Sequence, residues 1–77
     1  MGRKRTPPHK ILVEEFLVPY YMGPQELSVR SGMTMETTEQ LIAGQIPVTE
    51  EIAAGLSKLF GNTSQFWINL QKNYDAS

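Results

Sequence analysis

The chain has 77 residues, seven Lys or Arg, eight Asp or Glu, one His and no Cys, and its formal net charge is −1. A chain this short forms one domain and buries only about 60% of the surface its unfolded form exposes, so a partner would add to a small core. The missing thiols exclude a disulfide framework and Cys-ligated metal centres, and they fit a reducing compartment, the cytoplasm; no apolar stretch is long enough to span a bilayer or to form the core of a signal peptide.

The charge is unevenly placed. Arg3, Lys4, Arg5 and Lys10 hold four of the seven basic charges, whereas residues 11–77 carry three basic and eight acidic groups. Residues 1–9 contain no apolar side chain after Met1 and end in a Pro pair before His9, the composition of a flexible basic arm or of a ragged terminus. A single domain is expected over residues 10–77.

The first helix is expected from near Lys10, with Ile11, Leu12, Phe16 and Val18 inward and Glu14 and Glu15 in water. Pro19 lacks an N–H and disfavours helix in the residue before it, so that helix ends by Val18. Pro19 to Gly23 forms a connector whose Tyr20 and Tyr21 suit either the core or an exposed contact. Pro24 suits a first helical position, and a second helix is expected to Ser31 with Leu27 inward. Gly32 fits a left-handed turn. Thr34 is a candidate N-cap for a third helix that Gly44 closes, with Glu36 near its positive end. Thr49, followed by Glu50 and Glu51, opens a fourth helix in which Ile52, Leu56, Leu59 and Phe60 recur at helical spacing. Gly61 ends it, and Thr63 or Ser64 caps a fifth. There Trp67, Leu70 and Tyr74 share one stripe, either a core face or a partner contact. No segment alternates as a strand would. The fold class is therefore all-α, with five short helices.

Two short helices joined at Ser31-Gly32-Met33 have the spacing of a helix-turn-helix. In that motif the second helix enters the DNA major groove with its N-terminal residues toward the base edges. An ordinary helical corner has the same spacing. Catalysis finds little support. His9 has no second ligand within reach of its own segment, and a metal site needs three or four. Glu14-Glu15 and Glu50-Glu51 are adjacent, so their side chains diverge on a helix. No serine has a base, and no phosphate-binding glycine loop occurs. No cofactor is expected.

Longer stretches carry a resemblance. Pro8-His9-Lys10-Ile11-Leu12-Val13-Glu14-Glu15-Phe16-Leu17-Val18-Pro19, then Glu26-Leu27-Ser28, Gly32, Ile42-Ala43-Gly44 and Val48-Thr49, and finally Gly61 to Gln71 with Tyr74-Asp75, follow one pattern without gaps. That pattern resembles the HigA-type antitoxin family, a branch of the Cro/repressor-like helix-turn-helix proteins. The resemblance implies a transcriptional autorepressor that dimerises on an inverted repeat in its own operator and neutralises a partner toxin, typically an mRNA endonuclease. Mapped by position, it implies DNA contacts by Thr34, Met35, Glu36, Thr37 and Gln40, with Arg30 reaching phosphate. Read from the residues themselves, Arg3, Lys4 and Arg5 would enter the minor groove as a DNA arm, and Trp67, Leu70 and Tyr74 would form a dimer or toxin contact, since Trp and Tyr are favoured at interfaces.

The chain departs from the family pattern at polar and cationic positions. Gly23-Pro24 stands where a Ser-Gln pair is usual, Thr37 where Arg is frequent, and Gln45-Ile46 where Lys-Arg follows the helix-ending glycine. Phosphate neutralisation scales with cationic contacts, so two other expectations stay open: an interaction module that retains the fold without specific DNA binding, and an orphan regulator with no toxin.

Overall fold

A computed structural model describes residues 6–76. Among them every regular element is helical, with no strand: α1 (Pro8–Ile11) runs into a π-helical segment (Leu12–Leu17), followed by α2 (Pro24–Ser31), α3 (Met35–Ile42), α4 (Glu50–Phe60) and α5 (Ser64–Asp75).

Local chemistry accounts for most of the boundaries. Pro24 opens α2 at a position where its missing N–H costs nothing, and Gly32 closes it at φ +82°. The hydroxyls of Thr34, Thr49 and Thr63 accept the backbone N–H of Thr37, Ile52 and Phe66 at 3.1, 3.3 and 3.2 Å, capping α3, α4 and α5. Each bond satisfies a donor that has no partner within its helix. For α5 the cap is Thr63, and Ser64 is already helical.

The first helix departs from expectation. Within Leu12–Leu17 the ladder shifts toward bonds five residues apart, as in Val18 N–H to Val13 C=O at 2.9 Å. This places Leu12 and Leu17 on the same inward face, 1% and 5% exposed, and turns Val18 outward at 62%. Simple 3.6-residue spacing had counted Val18 inward and passed over Leu17. The first helix also begins earlier than expected. Pro8 is buried at the first helical position, so Pro8 and His9 belong to α1.

The core gathers Leu12, Leu17, Leu27, Leu41, Val48, Ile52, Ala53, Leu56 and Trp67, drawn from the π-helical segment, from α2 to α5 and from the connector before α4. Trp67 is fully enclosed. Its ring lies 5.0 Å from that of Phe16, and its indole N–H donates to Asn62 Oδ1 at 2.9 Å. This partner matters because a buried donor left unpaired costs more than a typical hydrogen bond gains. Gln71 ties the connector before α4 to α5 by accepting the Val48 N–H at 2.8 Å.

Helix α2 approaches α4 closely. A Cβ on Gly55 would stand 2.9 Å from the carbonyl oxygen of Ser31. A glycine inside a helix costs about 1 kcal/mol relative to alanine; here it admits another backbone.

Two stability measurements follow from these contacts. Gly55→Ala should lower stability by about 1–3 kcal/mol despite its better helix propensity, because main chain must move; thermal unfolding at or above the parent midpoint would contradict the close approach. Asn62→Ala should cost about 1–3 kcal/mol through the orphaned indole N–H, read from denaturant unfolding with an unchanged m-value.

Candidate nucleic-acid interface

The segment from α2 through α3 is held by hydrogen bonds local to its turn. The Ser28 hydroxyl crosses the turn and donates to the Met33 carbonyl at 2.6 Å. The Ser31 hydroxyl donates to the Leu27 carbonyl at 2.6 Å and accepts the Met33 N–H at 3.4 Å. Two serines thus satisfy backbone groups that an αL turn exposes, fixing the path of the chain into α3.

Within α3, the inner face is Thr38 and Leu41, both fully buried. The Thr38 hydroxyl is satisfied by the Thr34 carbonyl at 2.8 Å. The opposite face presents Met35, Glu36 and Glu39, all exposed, with Thr37 and Gln40 half-buried at its sides. Thr34, the N-cap, thus gathers with Met35, Glu36 and Thr37 at the N-terminal end of one helix, and Gln40 follows in its second half. Thr34 and Thr37 are already linked to each other by a 3.0 Å bond between their hydroxyls. Glu39 was absent from the sequence-based set. Its spacing of three from Glu36 and four from Met35, which places all three on one ridge, is the signal that would have included it.

The electrostatics of this surface are acidic. Arg30 lies on α2 and is exposed, but its Nε is 2.9 Å from Glu26 Oε2. That surface pair is worth little to stability, yet it neutralises the single cation that α2 and α3 carry. Glu51, from the start of α4, helps line a cleft of about 220 Å³ beside Thr34 and Thr37. Acid groups therefore flank the N-terminal end of α3. Arg3, Lys4 and Arg5 lie outside the described residues.

The stripe proposed for partner contact divides. Trp67 is 0% exposed and cannot touch a partner, because the core closes over it. Leu70 and Tyr74 are half-buried. Aromatic surface appears elsewhere. Tyr20, left open between core and contact, lies outside the buried core: its ring stacks on Phe60 at 5.8 Å while more than half of it stays exposed. Tyr21 is 94% exposed at a left-handed φ of +54°. Phe66 packs edge-on against Trp67 at 5.0 Å with its outer side in solvent. Among the described residues no cluster of His, Asp or Glu could hold a metal ion, and no helix is long and apolar enough to cross a membrane.

No family model matches the chain. An uncharacterised HTH-type transcriptional regulator from Haemophilus influenzae is 35% identical over 75 residues, covering 97% of this chain and 70% of that protein. The chain spans 65% to 70% of the length of the first curated regulators it matches. Among solved structures, an addiction module antidote protein of a HigA family from Coxiella burnetii superposes with a TM-score of 0.88 at 30% identity, covering 96% of this chain and 80% of that one. The Pseudomonas aeruginosa antitoxin HigA, solved with the higBA promoter, gives a TM-score of 0.88 at 28% identity over 92% of this chain and 77% of that one. With the same helix-turn-helix held in the same five-helix frame, the chain belongs to the HigA family of helix-turn-helix antitoxins.

Proposed function

We propose that this chain is the antitoxin of a toxin–antitoxin pair. It acts in the cytoplasm by binding and not by catalysis, as a homodimer that occupies an inverted repeat in its own operator and neutralises a partner toxin of the mRNA-endonuclease type. The observation that carries the reading is the exposed α3 ridge, seated on buried Thr38 and Leu41 and aimed by the serine-closed turn. A rigid helix with a free outer face is what a major groove accepts.

The ridge chemistry suits base edges better than backbone. Gln40 can pair in bidentate fashion with adenine, Met35 can pack on a thymine methyl, and Glu36 and Glu39 can accept from cytosine amino groups. Each carboxylate repels phosphate unless such a donor meets it, so the ridge trades affinity for discrimination. Thr34 and Thr37 can reach either phosphate or base, and Arg30 reaches phosphate only by leaving Glu26. Leu70 and Tyr74 are the proposed partner contact. The acidic body of the chain, net −5 over residues 11–77, favours a basic toxin through charge complementarity.

A second reading is favoured by one observation. The Glu26–Arg30 pair leaves the α2–α3 surface without an unpaired cation of its own, as suits an interaction module that has left specific DNA binding behind. A mobility-shift assay with the purified chain and its own upstream DNA separates the two. A shift at low salt is expected, and Gln40→Ala should weaken it by about 1–3 kcal/mol, roughly 5- to 150-fold. No shift at low salt, together with capture of a basic partner, would leave the interaction module. A small basic protein encoded beside this gene and co-purifying with the chain is expected of an antitoxin and not of an orphan regulator.

The acids give a separate prediction. Glu36→Gln with Glu39→Gln should tighten binding to random-sequence DNA by roughly tenfold at low salt, with the gain shrinking as salt screens it, and should narrow the ratio of specific to non-specific affinity. Unchanged affinity for random DNA would mean that α3 does not face the phosphates.

A further inference from the structure

The connector after the π-helical segment carries side chains that the core does not use. Val18 and Tyr20 are more than half exposed and Tyr21 almost wholly so. The backbone beneath them is nevertheless fixed. The N–H groups of Tyr20, Tyr21 and Met22 donate to the carbonyls of Phe16, Val18 and Leu17 at 3.1, 3.1 and 2.9 Å. Tyr21 is the one residue other than glycine with a positive φ among the described residues. A side chain in that conformation crowds its own backbone, which glycine avoids, and a ring lying in solvent has no packing to offset it. Strain held at an exposed aromatic residue points to a role outside the fold.

Tyr20 joins this connector to a row of rings. It stacks on Phe60, Phe60 lies 4.8 Å from Phe16, and Phe16 meets Phe66 edge-on at 6.2 Å. The two inner rings are half-buried and the two end rings, Tyr20 and Phe66, are exposed. The row draws on the π-helical segment, α4 and α5, so its backing is rigid, and Tyr20 spends one face on Phe60 while the other stays open. Single apolar side chains are ordinary on a surface, but a contiguous aromatic edge marks a place where another molecule docks, and aromatic residues are enriched where proteins meet.

Charge selects the occupant. Glu14 and Glu15 are exposed on the segment that carries Phe16, and residues 11–29 hold three acids and no Lys or Arg. Lys58 of α4 stands two positions before Phe60, about 200° around the helix. A phosphate backbone is repelled by these acids. A second copy docked edge to edge would set its own Glu14 and Glu15 against them. A basic protein surface meets both the rings and the acids favourably, and arginine does so best, because its planar guanidinium lies on an aromatic face and also pairs with carboxylate.

We propose that the aromatic edge running from Val18, Tyr20 and Tyr21 to Phe66 is a docking surface for a basic protein partner, which stacks arginine on the outer ring faces and pairs its cations with Glu14 and Glu15. This rests on the antitoxin reading above and names a surface for its toxin. Phe66 stands one turn before Leu70 on α5, so the edge extends the contact proposed for Leu70 and Tyr74 toward the connector.

The experiment titrates the full chain with the small basic protein encoded beside its gene, by calorimetry at low and high salt, with thermal midpoints and operator band shifts recorded for each variant. Tyr20→Ala is expected to weaken binding by roughly tenfold or more, and Tyr20→Phe to keep the parent affinity. Tyr21→Gly is expected to weaken binding by roughly threefold or more while its thermal midpoint does not fall, a combination that a merely structural role would not give. Glu14→Gln with Glu15→Gln is expected to weaken binding by roughly threefold at low salt, a difference that closes at high salt. Parent-like partner binding in Tyr20→Ala and Tyr21→Gly overturns the proposal and places the partner on Leu70 and Tyr74 alone, with the antitoxin reading intact. A homodimer that dissociates in Tyr21→Gly, followed by sedimentation, gives the edge to a second copy, and a band shift lost in that variant gives it to DNA; either result overturns the proposal. Unchanged binding in the glutamate variant overturns the basic chemistry assigned to the partner. If no basic protein binds the unaltered chain, the antitoxin reading itself falls, an outcome distinct from the others.

Discussion

Helix α2 can lie against α4 only because residue 55 has no side chain. The Ser31 carbonyl occupies the space that a Cβ would need, and Ser31 is also the last residue before the turn into α3. The close approach therefore sets more than a packing distance: it seats the C-terminal end of α2 on the platform of α4 and α5. From that seat the Ser28 and Ser31 hydroxyls fix the turn, and Thr38 and Leu41 fix the rotation of α3 about its own axis. The outward ridge of Met35, Glu36 and Glu39 is what remains once those positions are set. A small core has little reserve, so the orientation relies on local bonds and one backbone contact more than on buried area.

The surface so presented is unusual for a phosphate-rich target. Its acids do not stabilise the fold through partners; Glu26 pairs with Arg30 at the surface, where such pairs contribute little. Glu36 sits in the first turn of α3 and gains a little from the helix dipole, but Glu39 lies beyond that turn and gains nothing comparable. Acids with so little structural return, on the outer face of a recognition-type helix, make sense as selectivity: they penalise every site that does not present a donor. The affinity for phosphate must then come from a different part of the molecule.

The sequence made some of these features legible and concealed others, for physical reasons. The caps at Thr34 and Thr49, the start at Pro24 and the turns at Gly32 and Gly61 could be read directly because each is a local effect, settled within a few residues of its cause. The outward face of α3 was equally accessible, since helical spacing alone sorts Thr38 and Leu41 from Met35 and Glu36; Glu39 belonged to the same pattern. The π-helical segment was not, because Leu12 and Leu17 share a face only after the ladder shifts, and tertiary packing decides that shift. Trp67 was ambiguous for a related reason: an aromatic stripe looks the same whether the core closes over it or leaves an edge, and here Phe16, Phe60 and Phe66 surround it. Gly55 carried no sequence signal of its own, because its partner, Ser31, lies 24 positions away in the chain.

The placement of charge also bears on how the molecule meets a polyanion. A net charge of −1 would suggest indifference, but it is the sum of a cationic first ten residues and a body of −5. That polarity is one of sequence position, and the acids of the body act over about a Debye length, about 8–10 Å at moderate salt. Within that range an approach by the acidic body to a polyanion is repelled, and the same acids favour a basic partner.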